Sequence, residues 1–149
     1  KLAVKKVHEE FGFNTAGCGP AHRSTPLAGC INITTDQLGS LARQEAKITH
    51  YDDDAGNGSA IVILLCRYLL EGNSYQDTQK LISDNRELKK SWLKIKEAKL
   101  IPDGYIFNVI HSALHFIDNN KSLKDTFKFA GKANYCPIIF SVINACLSR

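Results

Sequence analysis

The stretch THYDDDAGNGSAIVILLCRYLLEG, residues 49–72, decides the fold that we predict for this chain. It opens on an acidic turn and passes into an unbroken apolar run over residues 60–66, which only Arg67 interrupts before the run resumes. A helix that is apolar on nearly every face must be surrounded by other elements. At roughly a dozen residues it falls short of the ~20 that cross a bilayer. We therefore predict a central buried helix, capped at Asn57 or Ser59 and stopped at Gly72.

The composition fits one ordinary globular domain over residues 1–149. The chain is 44% hydrophobic and 23% charged, and its length allows a core without covalent cross-links. Its net charge of +4 is spread along the sequence. No dense basic run is interleaved with aromatic residues, so nucleic-acid binding is not indicated.

The cysteines favour a reducing compartment. There are five of them, without CxxC spacing, and two lie within apolar runs, where a thiol behaves as a small hydrophobic group. We expect an intracellular protein, either cytoplasmic or in an organelle such as the mitochondrion. We find no signal-peptide or transmembrane pattern. Because the sequence starts at Lys1 without Met, we expect a processed chain or a piece of a longer protein.

Helical patterns and short loops account for the rest of the chain. Residues 1–13 suit the tail of an amphipathic helix that stops near Gly12, and residues 14–29 read as a glycine- and proline-rich loop. Thr34 and Gln37 have the spacing of a capping box. Further helices are predicted over residues 36–48, 74–84, 86–100, 105–117, 122–129 and 138–147. Since no alternating strand pattern persists, we predict an all-α helical bundle.

Three segments, in order, resemble motifs of the ADP-ribosylglycohydrolase family, which includes the dinitrogenase reductase-activating glycohydrolases. Residues 17–27, GCGPAHRSTPL, are similar to the family's Gly-Asn-Gly-x-x-Met-Arg-x-x-Pro-Leu/Ile loop. Residues 42–50 resemble its "A-R... T-H" helix, and residues 104–131 resemble its "G-Y-V-x-x-T-L-x-A-A-L" helix and the helix after it. The resemblance implies an all-α fold and hydrolysis of the bond that joins ADP-ribose to a modified side chain.

The resemblance also implies a set of residues that bind ADP-ribose or a related nucleotide. The glycine backbone would approach the diphosphate, basic side chains would pair with phosphate, and an aromatic ring would stack on adenine. These residues are Gly17, Gly19, His22, Arg23, His50 and Tyr105. Each also has a plainer structural interpretation: a connecting loop, a histidine at a helix C-terminus, and an aromatic core residue.

The departures from the family concern its magnesium site. Family members use two magnesium ions held by carboxylates, but Lys132, Asn134 and Tyr135 stand where the Gly-Gly-Asp-x-Asp-Thr motif has ligands. The family's N-terminal Thr-Asp-Asp motif has no counterpart, and Cys18 replaces the loop asparagine. The chain is about half the family's length, so we expect its C-terminal half, with no metal and no other cofactor.

The acidic triplet at residues 52–54 raises a separate metal hypothesis. An EF-hand starting at Asp52 would need an acidic ligand at its twelfth position, which is Ile63. Carboxylates at a helix start also stabilise the positive end of the helix dipole. We favour that structural role for the triplet.

These observations lead to one main hypothesis and two alternatives. We expect a non-catalytic domain, a pseudoenzyme, that acts as a structural or interaction subunit, with other protein chains covering the face that a missing half-fold would cover. The first alternative is an active ADP-ribosyl glycohydrolase whose N-terminal half is elsewhere. The second is a module that binds ADP-ribose without cleaving it.

Overall fold

The structure is a computed structural model that describes residues 2–131 and 135–148. Within these ranges every regular element is helical, and the single β-type contact is an isolated bridge between Gly17 and Tyr105. The elements are α1 (Leu2–Glu10), α2 (Gly19–Ser24), a 3-10 helix (Thr25–Gly29), α3 (Thr35–Ala46), α4 (Asp53–Leu70), α5 (Tyr75–Asp84), α6 (Lys89–Lys96), α7 (Ile106–Asp118), α8 (Leu123–Ala130) and α9 (Tyr135–Leu147). The all-α prediction is confirmed.

Helix α4 lies at the centre of the fold. Its residues from Ser59 to Arg67 are all buried, and α2, α3, α5, α7 and α9 pack around it. The predicted central buried helix is therefore confirmed. Gly72 ends it with a left-handed φ of +90°, as the sequence predicts.

The start of α4 differs from the prediction. The helix begins at Asp53, because the Asp52 side chain accepts a hydrogen bond from the backbone N–H of Asp54 at 2.8 Å. Asn57 and Ser59 lie inside the helix. The Ser59 hydroxyl instead contacts the Ser24 hydroxyl of α2 at 2.8 Å, in the core. An aspartate is as good a cap as the two residues that we favoured, and here the earlier one is used.

Arg67 is the one charged residue in the buried part of α4, and it organises the loop before α3. Its side chain is 10% exposed. The guanidinium donates to the carbonyls of Ala28 at 2.7 Å, Cys30 at 2.7 Å and Ile33 at 3.1 Å. Burying a charged group is costly unless it is hydrogen-bonded. These three bonds offset that cost and fasten the loop to α4.

The crossing of α4 and α7 depends on a glycine. A Cβ atom at Gly58 would lie 2.3 Å from Cγ1 of Ile106, a distance that side chains do not tolerate. The absence of a side chain lets the start of α7 approach the first turns of α4. This close approach brings Tyr105, the residue that precedes α7, towards the acidic start of α4.

Several predicted elements have other limits in the structure. Residues 19–29, predicted as part of a loop, form α2 and the 3-10 helix, each with a proline in its first turn, where no N–H donor is needed. Helix α6 covers only Lys89–Lys96 of the predicted span, and α9 begins at Tyr135, before the predicted start. Ile48, the last residue of the helix predicted over residues 36–48, is 66% exposed because α3 ends at Ala46.

The distribution of exposed apolar surface also differs from our expectation. We expected a face left uncovered by a missing half-fold, yet α4 and α7 are almost entirely buried, and on α9 the large aliphatic side chain left exposed is Ile138. Helix α1 has no buried residue. Across residues 2–131 and 135–148, no helix combines the length and the apolar character needed to cross a membrane.

We predict that replacing Leu65, which is 0% exposed in α4, by alanine lowers the free energy of unfolding by about 2–5 kcal/mol, because it leaves a cavity in the core. Leu64→Ala, at 3% exposure, should cost a similar amount. Urea denaturation measures both. Leu93→Ala, on a side chain that is 52% exposed, serves as the control and should change stability little. A Leu65→Ala curve that overlays the wild type would contradict the central placement of α4.

Candidate functional site

The candidate site forms where residues 16–18 meet the start of α7. The N–H of Cys18 donates to the Gly104 carbonyl at 3.1 Å, and the N–H of Ile106 donates to the Ala16 carbonyl at 3.0 Å. These two bonds fix Tyr105 beside Gly17. Two of the residues that the family resemblance singled out are thus neighbours, although they are distant in sequence.

His50 covers the glycines of this loop. A Cβ atom at Gly17 would lie 2.7 Å from Nε2 of His50, and one at Gly19 would lie 3.3 Å from Cε1. The imidazole Nδ1 is 2.8 Å from the Thr49 hydroxyl. The glycines therefore admit the histidine ring, so the space that opens above the loop is filled by the protein itself. The structure brings Gly17, Gly19 and His50 together.

Arg23 is engaged by α3. Its guanidinium forms an ion pair with the Glu45 carboxylate and donates to the Glu45 carbonyl at 3.3 Å. The side chains are 37% and 24% exposed, respectively. Arginine at a helix C-terminus also interacts favourably with the helix dipole. A phosphate that approached Arg23 would compete with a carboxylate already in place.

His22 faces α9 rather than the loop opening. Its ring stacks on Tyr135, with ring centroids 6.1 Å apart and an interplanar angle of 26°. The Tyr135 ring also lies over Gly104, where a Cβ atom would be 3.4 Å from its Cε2. At this position the family motif has a threonine. Lys132 and Asn134, the other two altered positions, lie outside the described residues.

The acidic turn before α4 is occupied by local partners. Lys94 contacts both carboxylate oxygens of Asp54 at 2.9 and 3.0 Å, and the Tyr105 hydroxyl donates to the same carboxylate at 3.1 Å. Asp53 pairs with Lys47 at 3.4 Å. The cap made by Asp52 bears out the structural interpretation of the triplet. Among the residues that the structure describes, no group of three histidine, cysteine or acidic side chains is arranged to hold a metal ion.

A cavity of about 270 Å³ opens beside Gly17 and Tyr105. Its polar wall includes Asp103, whose carboxylate accepts from the N–H of Tyr105 at 3.1 Å and from the Asn108 side chain at 2.8 Å. Burial and the nearby carboxylates of Asp54, Asp52 and Asp103 raise the pKa of the Tyr105 phenol, which therefore stays protonated. The cavity presents a phenol and a carboxylate, and none of the described residues that line it is a cation.

Sequence analysis missed four residues that shape this region. Glu45, Lys94 and Asp103 bind or orient residues that we had singled out, and Asp54 was assigned only to the helix start. Asp103 had a local signal, because an aspartate two residues before a helix commonly bonds the backbone. Glu45 and Lys94 had none. Their partners lie on other elements, so sequence spacing does not predict these contacts.

The two histidines of the site predict a pH dependence. Burial lowers the pKa of His22 and of His50 below the ordinary value of 6.5, and Arg23 adds to the effect at His50. Below about pH 6.5 the unfolded chain takes up protons that the folded chain resists. The stability that depends on keeping these two histidines neutral is therefore fully present above this pH. It is lost as the pH drops towards the lowered pKa values.

We expect urea midpoints to fall between pH 7.5 and 5.5 in the wild type, and to fall less in His50→Gln. His22→Gln should also reduce the decrease. A histidine C2-proton titration by NMR, with peaks assigned from the two variants, gives the individual pKa values. An unchanged decrease in both variants would show that neither imidazole contributes.

Comparison with known proteins agrees with the motif resemblance. A protein-family model described as ADP-ribosylglycohydrolase matches residues 2–133. This match covers nearly the whole chain. It does not bear out our expectation that the chain is only the C-terminal half of the family fold. Searches of curated proteins and of solved structures each return no significant match. The family match and the all-α fold agree, and the chain belongs to the ADP-ribosylglycohydrolase family.

Proposed function

We propose that this chain is a non-catalytic member of the family that acts through contacts with other proteins. One observation carries the proposal: the groups that would bind ADP-ribose are used by the fold itself. His50 fills the space above Gly17 and Gly19, and Glu45 holds Arg23. The N–H of Cys18 already donates to the Gly104 carbonyl. Binding a diphosphate here would require several of these contacts to break.

The donor set at the expected magnesium site supports the same proposal. Magnesium binds carboxylate oxygens and water in near-octahedral geometry. At the corresponding positions this sequence has Lys132, Asn134 and Tyr135, and the Tyr135 ring packs against His22 and Gly104. A cationic side chain and a packed aromatic ring do not fit a magnesium pair. We therefore derive no catalytic step through a metal and propose that the chain works without a cofactor.

The proposed protein contact is the N-terminal apolar surface, formed by Val7, Phe11 and Phe13. These side chains are 44%, 68% and 67% exposed, respectively. Val7 and Phe11 are four residues apart, so they lie on one face of the α1 turn. His8 links this segment to the body of the fold. Its Nδ1 lies 2.5 Å from the Thr15 hydroxyl, and its ring centroid lies 5.7 Å from that of Tyr51. A partner chain that covers this surface would remove apolar area from water at about 25 cal/mol per Å².

A second candidate function is recognition of ADP-ribose without cleavage. The open cavity beside Gly17 and Tyr105 favours it, because this is where the family resemblance places the nucleotide. Asp103 on the cavity wall opposes it, since a carboxylate repels phosphate. The remaining alternative is an active ADP-ribosyl glycohydrolase whose N-terminal half lies on another chain. Titration with Mg²⁺ and ADP-ribose, together with an assay for ADP-ribose release, distinguishes the three functions.

We expect isothermal titration calorimetry to show no sub-millimolar binding of Mg²⁺ or ADP-ribose to the wild-type chain, for the reasons of charge and occupancy given above. Glu45→Gln releases Arg23 from its ion pair, and we expect ADP-ribose affinity to rise in this variant by up to about tenfold. The matched control is Glu87→Gln, which removes the equivalent partner of Arg43 and should leave affinity unchanged.

Two results would contradict the proposal in different ways. Sub-millimolar binding of ADP-ribose to the wild type without Mg²⁺ would establish the recognition function. Release of ADP-ribose from ADP-ribosyl-arginine in the presence of Mg²⁺ would establish a hydrolase.

For the proposed protein contact, we expect light scattering to show concentration-dependent association of the purified chain, together with binding of a hydrophobic dye. Phe11→Ser should reduce both, because it removes the most exposed side chain of the surface. Ile31→Ser changes an even more exposed residue, 92%, outside this surface and should have no effect. A wild-type monomer that binds no dye would remove the support for this contact.

A further inference from the structure

Two cysteines from distant parts of the sequence meet in the core. Cys66 lies in α4 and is 1% exposed, and Cys146 lies in the last turn of α9, partly exposed. Helices α4 and α9 pack against each other, and Cys146 packs against the buried cluster that contains Cys66. All five cysteines are among the described residues, and none forms a disulfide.

We propose that Cys66 and Cys146 are a redox-sensitive pair, which forms a disulfide on exposure to a peroxide and thereby fastens α9 to α4. In the reducing compartment that we expect for this chain, the dithiol would be the resting form. The pair includes no residue of the candidate nucleotide site or of the N-terminal apolar surface.

The helix geometry places both cysteines on buried faces of packed helices. Ile139, Ile143 and Cys146 follow one another at helical spacing along α9, and both isoleucines are 0% exposed. Cys146 therefore continues the face that α9 buries. Cys66 occupies a fixed position in the most enclosed helix of the fold.

The other cysteines lack this relationship. Burial raises the pKa of Cys136 to about 12 and is the largest cause of the rise at Cys18, to about 11. For Cys66 the largest cause is the thiol of Cys146. Cys30 is exposed, and its sulfur lies 3.6 Å from the Pro26 carbonyl. Among the five, Cys66 and Cys146 are the two whose thiols interact.

The chemistry needs one equivalent of hydrogen peroxide. The more accessible Cys146 thiolate attacks one peroxide oxygen, the O–O bond breaks, and water leaves with the thiol proton to give a sulfenic acid. The Cys66 thiolate then attacks that sulfur, the S–S bond forms, and the S–O bond breaks. The departing hydroxide takes up the Cys66 proton as water. Two thiols lose two electrons, and one peroxide is reduced to two waters.

The environment makes this reaction slow at neutral pH. Burial and the neighbouring thiol raise the pKa of Cys66 well above its usual range, and the thiolate is the reactive form. The cross-linking rate should therefore rise about tenfold per pH unit on the alkaline side of neutrality. The disulfide closes a long loop and restricts the unfolded chain. It also fixes α9, whose first residue, Tyr135, contacts His22 at the candidate site.

The test uses the full chain carrying Cys30→Ser, which prevents cross-links between molecules through the exposed thiol. After treatment with hydrogen peroxide at pH 8.5, we expect one intramolecular cross-link between the tryptic peptides that contain Cys66 and Cys146. The mass should fall by two hydrogen atoms, and the thermal midpoint should rise by about 10 °C. Dithiothreitol should reverse both changes.

The variants assign the cross-link. Cys146→Ser, at a partly exposed position that tolerates a hydroxyl, should abolish it, and Cys66→Ala should do the same. Cys136→Ser is the matched control on α9, and it also identifies the partner, because Cys136 and Cys146 share a tryptic peptide. It should keep the cross-link and the thermal shift. Two results would overturn the proposal. One is a Cys30→Ser chain that shows only over-oxidised thiols, and the other is a cross-link that survives Cys146→Ser.

Discussion

The enclosure of α4 is the constraint on which the rest of the structure depends. This helix exposes almost nothing from Ala55 to Arg67, and six other helices and the 3-10 segment pack against it. The free energy gained by removing so much apolar surface from water favours this arrangement over any that leaves α4 bare. Three of its buried residues also make specific contacts with other parts of the chain. Gly58 admits α7, Arg67 fastens the loop before α3, and Cys66 meets Cys146.

The candidate site is a consequence of this enclosure. Because α7 approaches the start of α4, Tyr105 reaches Asp54, and its backbone pairs with residues 16–18. Because α2 and α3 pack on α4 from one side, Arg23 meets Glu45. The motif-like residues are therefore together for reasons of packing. Arg23, His50 and Tyr105 have hydrogen-bond partners within the chain, whereas the buried Nε2 of His22 has none among the described residues. The first of these observations supports the non-catalytic function that we propose.

The positions that resemble the family's motifs also have structural roles in this fold. The glycines at 17 and 19 are needed by His50, whether or not a ligand binds. Tyr135 fills space against His22 and Gly104 where the family motif has a small threonine. These contacts hold the loop within the fold.

The sequence by itself determined the helical class, the central place of α4 and the family. Periodicity and capping residues act over a few positions, so Gly72 and Ser122 could be assigned as helix boundaries from local pattern alone, and both hold in the structure. The six candidate site residues were proposed from ordered motifs, and their role in binding stays a prediction. Local pattern could not choose between Asp52 and the later caps, since several residues there are equally able to accept the first N–H.

The tertiary structure alone decided which side chains meet. The Glu45 partner of Arg23, the Lys94 partner of Asp54 and the thiol pair come from elements with no fixed spacing in sequence. It also decided which apolar helices are covered: α7 is enclosed, whereas the short amphipathic α1 keeps its apolar side chains in water. The physical reason is that burial depends on what packs opposite a residue, and a one-dimensional pattern records only which face is apolar.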